Sequence, residues 1–322
     1  MDRRTLLVAL SVGSLPALAE EATAPYPNKA VRIVVNFPPG GTVDVLTRAV
    51  AQKMSDRWGQ PTVVDNRPGA GGNIGAQVVA TAQPDGYTLL GTPPGPMAIN
   101  QNLYRGMGFD PEKLVPIVMM ANVPNAITAR VSFPANNVKE LIAYIKANPG
   151  NVTYGSQGNG STSHLTGQMF ATMIGGDMVH VPFKGEGPAL TELLSGRIDL
   201  FFGNISAVMK FRETKQVKLL ALASAKRGAM APEVPSAPEA GLPDFLASAW
   251  FALVAPPNTP APLVRSINLE VNEILKMLSV RDQFEAQGAE VVGGTPAEMA
   301  VFVGTERARW KAVIKTANVK LD

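Results

Sequence analysis

Three glycine-rich loops punctuate this chain: PPGGTVD at residues 38–44, RPGAGGNIG at 67–75 and GSQGNGSTSH at 155–164. Each follows a short apolar run with β-branched residues and precedes a stretch whose apolar positions return at helical spacing. The run at 30–37 is nearly all apolar, as a strand buried on both faces requires. From there Val43, Leu46, Val50, Met54 and Trp58 recur every three or four residues, until Gly59 and Pro61 stop the helix. Strand–loop–helix units in series predict an α/β fold with mainly parallel sheets, because a parallel neighbour is reached only through a crossover.

The units fall into two sets. The first holds strands at 61–65 and 87–91 and a helix at 74–82, beside the strand and helix already described. The second holds helices at 138–147, from Thr162 and from Pro188, with strands at 152–154, 178–181, 198–202 and 217–223. Between them LVPIVMMANVPNAITAR (114–130) is long, extended in composition and broken by Pro116 and Pro124, as a crossing segment would be. SAWFALVA (248–255) is the candidate return, and helices at 261–277, 280–287 and 296–317 close the chain. These patterns place one lobe at 26–121 with 250–322 and a second at 122–249. Two lobes joined by two crossings leave a cleft, where such architectures hold small ligands.

Composition narrows the chemistry. The 322 residues contain no cysteine, so disulfides, thiolate metal sites and cysteine nucleophiles are excluded. Net charge is +3 with basic residues scattered, which gives nucleic-acid binding no footprint. At the N-terminus Arg3 and Arg4 precede an apolar stretch at 5–15, too short to span a bilayer, and Ala17-Leu18-Ala19 offers a cleavage site. Residues 1–19 are therefore expected to be a cleaved signal peptide, by the Sec or the twin-arginine route, and the mature protein to be exported.

A helix N-terminus carries roughly half a positive charge and unpaired N–H groups, so it holds an anion without a basic side chain. Glycine lets the backbone approach that anion closely. Thr42, Ser156, Ser161, Thr162 and Ser163 add hydroxyls, whereas Asp44 is better placed to cap its own loop. Against this stands the plain reading of each loop as a structural turn. His164 either bonds within the second lobe or lines the cleft; Lys184 either steers an anion or sits in solvent. His180 reads as a core residue, and Trp250 and Phe251 as hinge or core packing. Enzyme chemistry is poorly supported. Ser161 and His164 lack a G-x-S-x-G elbow, two histidines without H-E-x-x-H make no catalytic metal centre, and Ile74 breaks the dinucleotide spacing in GAGGNIG. No cofactor is expected.

The stretches YPNKAVRIVVNFPPGGTVDVLTR, VVDNRPGAGGNIGAQVVATAQPDGYTLL, YGSQGNGSTSHLTGQMF, VPFKGEGPALTELLSGRIDLFF and SAWFALVAPPNTP together resemble the Bug family, the periplasmic solute-binding proteins of tripartite tricarboxylate transporters. The resemblance spans almost the whole mature chain. It implies a type II periplasmic-binding-protein fold, two doubly wound α/β lobes closing on a ligand held between them. It also implies a small organic carboxylate bound by backbone amides, hydroxyls and bridging waters, and a membrane permease of one large and one small subunit as partner. By motif match Phe37, Gly40, Gly41 and Asp44, with Thr42, belong to the first-lobe contact loop. Ser156, Gly158, Asn159, Ser161 and His164 belong to the second. Asn73, Thr92 and Lys184 are further carry-overs.

Two departures bear on the ligand. Val43 stands where the family often has a small hydroxyl residue, and Gly203 followed by Asn204 where it often has an acid. Without that acid an ammonium loses its partner, so a plain carboxylate, aromatic or dicarboxylic, is expected rather than an amino acid. The expected state is a monomer. A sensory binding protein and an exported serine hydrolase on Ser161 and His164 are the competing readings.

Overall fold

The computed structural model describes residues 26–319; the signal peptide expected at 1–19 lies outside the described residues. Strand β1 (Val31–Val35) is buried except at Arg32 and pairs in parallel with strands on both sides, which is why its sequence is almost continuously apolar. Helix α1 (Thr42–Trp58) follows, and Gly59 ends it in the left-handed conformation with its N–H on the Ser55 carbonyl. Next come β2 (Thr62–Asn66), α2 (Asn73–Ala80) and β3 (Thr88–Thr92). The proline-rich GTPPGPMAIN then winds into a single π-helical turn over Gly95–Ile99 and a 3₁₀ turn over Asn100–Asn102.

The chain crosses on β4 (Val115–Pro124) and β5 (Ala126–Arg130), two strands separated by Asn125 alone. Then follow α3 (Val138–Ala147), β6 (Val152–Ser156), α4 (Thr162–Ile174), β7 (Met178–Pro182), α5 (Glu186–Leu194), β8 (Leu200–Phe201), α6 (Ile205–Glu213) and β9 (Val217–Leu222). It returns on β10 (Ser248–Ala255) and ends with α7 (Ala261–Lys276), α8 (Leu278–Glu285), β11 (Glu290–Gly293) and α9 (Pro296–Thr316). One sheet has the order β11-β4-β10-β3-β1-β2 and the other β7-β6-β8-β5-β9. The crossing strands thus stay in the first sheet to Pro124 and rejoin it at Ser248. At the crossing, Asn125 donates its N–H to the Ala247 carbonyl at 3.0 Å and accepts from Ala223 at 2.8 Å.

The sheets are less parallel than the sequence predicts. β1, β2 and β3 pair in parallel, as do β6, β7 and β8, but β10 runs antiparallel to both β3 and β4, and β5 antiparallel to β8 and β9. A chain that leaves on one strand and returns on its neighbour must reverse direction, so crossing strands side by side are antiparallel. Strand β11, which the sequence reading passes over, adds to β4 at the edge.

Core residues cover both faces of the larger sheet. One cluster joins β1 and α1 to α7 and α8; another joins α2 and α9 to Trp250 of β10. Trp250 and Trp310 both donate their indole N–H to buried Glu306, at 3.2 and 2.9 Å, which fastens the return strand to α9. Trp250 is thus the packing residue that the sequence expects.

Candidate functional site

The first glycine loop delivers the N-terminus of α1 to the space between the sheets. Gly40 donates its N–H to Asp44 at 2.9 Å, and the same carboxylate accepts from Arg48 at 3.0 Å and Asn66 at 2.9 Å. Burial works to raise the Asp44 pKa, but these hydrogen bonds outweigh it and hold the carboxyl below its usual value. Asp44 is therefore spent on fixing its own loop.

The first N–H of α1 points across the cleft. Thr42 N–H lies 3.1 Å from a carboxylate oxygen of Glu186, at the start of α5, and the Thr42 hydroxyl lies 3.2 Å from the same atom. The other Glu186 oxygen accepts from Gln157 at 2.7 Å and Asn204 at 2.9 Å. Around this hub the Thr42 hydroxyl also contacts Ser206 at 2.9 Å and accepts from Asn204 at 3.1 Å. All the donors are uncharged. Burial raises the Glu186 pKa, and hydrogen bonds from Thr42, Asn204 and Gln157 offset that only in part.

Beside this cradle lies a cavity of about 160 Å³. Phe37, Pro38, Val43, Pro93, Ala249 and Phe251 form its apolar wall, and Thr42, Gln157, Glu186 and Asn204 its polar one. A second cavity, of about 420 Å³, shares Gly40, Thr42, Glu186 and Gly187 with the first and opens towards Lys210 and Phe211. Glu186 thus forms part of the wall between the two.

The second-lobe loop is tied to itself. Ser161 caps α4, accepting the His164 N–H at 3.3 Å and donating to the Gly158 carbonyl at 2.6 Å. Ser156 contacts His180 Nε2 at 2.7 Å and accepts the Gly158 N–H at 3.1 Å, and Ser163 accepts the Gln157 N–H at 2.9 Å. His164 and His180 stack with ring centroids 3.9 Å apart. Burial lowers the pKa of His164 to about 4; burial and then its neighbour's charge lower that of His180 to about 3. Both rings are neutral at pH 7. Ser161 Oγ and His164 are not paired as nucleophile and base; Nδ1 of His164 accepts the Gly160 N–H at 3.3 Å.

Of the sequence-predicted residues, Phe37, Gly40, Gly41 and Thr42 line the smaller cavity. Asp44, Ser156, Gly158, Ser161 and His164 shape the loops behind it. The Asn159 carbonyl accepts the Tyr104 hydroxyl at 3.1 Å, a contact between the lobes. Asn73 accepts from Asn100 at 2.6 Å and Thr92 from Asn36 at 2.9 Å, within a buried polar cluster under the first lobe's loops. Lys184 is exposed. Gly203 packs against the Phe201 ring, which occupies the direction a Cβ would take, and gives its carbonyl to Ala126 at 2.8 Å. The next residue, Asn204, faces the cavity instead.

Gln157, Glu186 and Pro93 are lining residues that sequence reasoning leaves out; Asn204 enters it only as a departure from the family, and Phe251, read as hinge or core packing, is buried in the core and also walls the cavity. Gln157 and Asn204 sit one position from predicted residues. An acid in the first turn of a helix reads as ordinary dipole compensation, so Glu186 carries no distinguishing signal.

Solved structures share this architecture, two of them closely. One is described as R. palustris Rpa4515 with adipate (38% identity, TM-score 0.89, 92% of this chain and 99% of that one). The other is the periplasmic binding protein BugD (33% identity, TM-score 0.86, 92% and 99%). The fold is that of the periplasmic solute-binding proteins, two α/β lobes with a cavity between them. BugT from Bordetella pertussis is 34% identical over 323 residues, covering 100% of this chain and 99% of that protein. Residues 46–319 match the tripartite tricarboxylate transporter family receptors, and the chain belongs to that family.

Proposed function

We propose that this protein captures a small organic carboxylate between its lobes, through backbone amides, hydroxyls and side-chain amides, and delivers it to a tripartite tricarboxylate permease in the membrane. The observation that carries the reading is the entrance of α1, where the backbone of Gly40 and Gly41 lines a cavity between the lobes. Beside it Thr42 of one lobe and Gln157 and Asn204 of the other already hold one carboxylate, that of Glu186, with no basic side chain among them. Neutral donors hold an anion without the deep electrostatic trap of a buried arginine, which suits a protein that must release its cargo. Adipate in the similar Rpa4515 structure supports a carboxylate, and the family description supports the permease.

The lobes, 26–121 with 250–322 and 122–249, would close about the crossing strands near Asn125 and Ala247. Closure brings donors from both lobes to one ligand, and differential affinity for the closed state drives it. Export by a signal peptide at 1–19 and a monomeric state complete the reading.

A thermal-shift screen of the purified protein against organic acids tests it. A ligand at a hundredfold excess over its Kd adds roughly 2.7 kcal/mol of stability, a visible rise in Tm. At least one carboxylate should produce that rise, and Gly41→Val, at the cavity wall, should remove it. A flat response across the panel would refute the reading.

A further inference from the structure

We propose that Glu186 makes this cleft selective for ligands with a single carboxylate, because its own carboxylate fills the seat that a second acidic group would need. The inference rests on the carboxylate reading above and adds the class of acid.

A carboxylate has about four lone-pair sites. Those of Glu186 are met by the Thr42 N–H at 3.1 Å, the Thr42 hydroxyl at 3.2 Å, Gln157 at 2.7 Å and Asn204 at 2.9 Å. The donors come from both lobes, so the protein supplies its own anion to the N-terminus of α1. The seat is close-fitting: a Cβ built on Gly41 would stand 3.4 Å from the nearer Glu186 oxygen. At the entrance of α5 a Cβ built on Gly185 would stand 3.1 Å from Pro38, so the two loops meet closely there as well.

What remains of the smaller cavity is hostile to a second carboxylate. Apart from the Gly40–Gly41 backbone its walls are mostly apolar, with Phe37, Pro93 and Phe251 foremost, and among the described residues no lysine, arginine or histidine lines it. Asn204, only 2% exposed, lines it too, and its side-chain N–H is already given to Glu186 and Thr42. A second ligand carboxylate would meet Glu186 as a like charge and find the Thr42, Gln157 and Asn204 donors engaged. A monocarboxylate meets one such repulsion fewer and buries its apolar body against the aromatic and proline wall.

Calorimetry with length-matched acid pairs tests the proposal: butyrate against succinate, hexanoate against adipate, and benzoate against terephthalate. The protein should bind the monocarboxylate of its preferred pair at least tenfold more tightly than the dicarboxylate. In Glu186→Gln the dicarboxylate should gain at least tenfold while the monocarboxylate changes less than threefold. Equal or tighter binding of the dicarboxylate by the unaltered protein overturns the proposal, whatever the variant does. An unchanged ratio in a folded Glu186→Gln variant overturns it as well. If neither protein bound any acid of the panel, the carboxylate reading itself would fail, and this inference with it.

Discussion

Gly40 and Gly41 are adjacent and look interchangeable, yet the backbone asks different things of them. Gly40 has φ +82°, a left-handed conformation that costs an L-residue about 1–2 kcal/mol, whereas Gly41 caps α1 at φ −76°. Gly40→Ala should therefore lower stability by about 1 kcal/mol in urea unfolding, and Gly41→Ala by less than about 0.5 kcal/mol. Gly41→Val is a different matter, since its branches would enter the Glu186 seat, and it should abolish ligand binding while the fold persists. The stacked pair His164 and His180 supplies a second prediction. An unfolded histidine takes its proton near pH 6.5, whereas these take theirs at about 4 and about 3. Between those limits the unfolded chain binds protons that the folded chain does not, so their contribution is complete above pH 6.5 and is lost as pH falls. At about 1.4 kcal/mol per pKa unit, the pair costs several kcal/mol by pH 4. Tm should drop steeply between pH 6.5 and 4, and His180→Gln should flatten that slope; an equally steep fall in the variant would remove the pair as its cause.

Among elements, α5 shows how a small offset relocates chemistry. The sequence predicts its start at Pro188, a residue favoured in a first turn, but the helix begins at Glu186 with Pro188 still inside that turn. Those two residues put an acid at the helix entrance facing α1. Helix α9 is held differently, by the buried Glu306 carboxylate under Trp250 and Trp310. Glu306→Leu leaves two indole N–H groups buried without acceptors, which at about 1–3 kcal/mol each should cost about 2–6 kcal/mol in denaturant unfolding. Glu306→Gln keeps an acceptor and should lose less than half of that. The capping box of α9 was open to sequence reasoning by its spacing, Thr295 with Glu298, and both of its hydrogen bonds are present. Strand β11 and the π-helical turn at Gly95–Ile99 were not legible, because four residues at a sheet edge and one wide turn leave no periodicity to detect.

For the whole molecule the question is what keeps the lobes together. Outside the Glu186 cradle, the Tyr104 hydroxyl reaches from the first lobe to the Asn159 carbonyl of the second. One such hydrogen bond is worth about 1 kcal/mol net, so Tyr104→Phe should speed ligand dissociation about fivefold in stopped-flow measurements and leave Tm nearly unchanged. A large fall in Tm with unaltered dissociation would make the contact structural rather than part of closure.

By itself the sequence determined the local units. Apolar periodicity, glycine and proline placement, and the two extended crossings gave the order of strands and helices and the α/β class. Motifs local in sequence pointed to PPGGTVD, which lines the cavity between the lobes. Only the tertiary structure decided which groups meet there. Asp44 and the serines of GSQGNGSTSH, all capable of binding, turn inward to satisfy their own loops, since a buried polar group must be paired and the nearest partner is often a few residues away. Glu186 and Asn204 come to Thr42 from 144 and 162 residues away, a distance across which no pattern of spacing carries information. The glycines marked where an anion could sit; the fold decided that one carboxylate there is the protein's own.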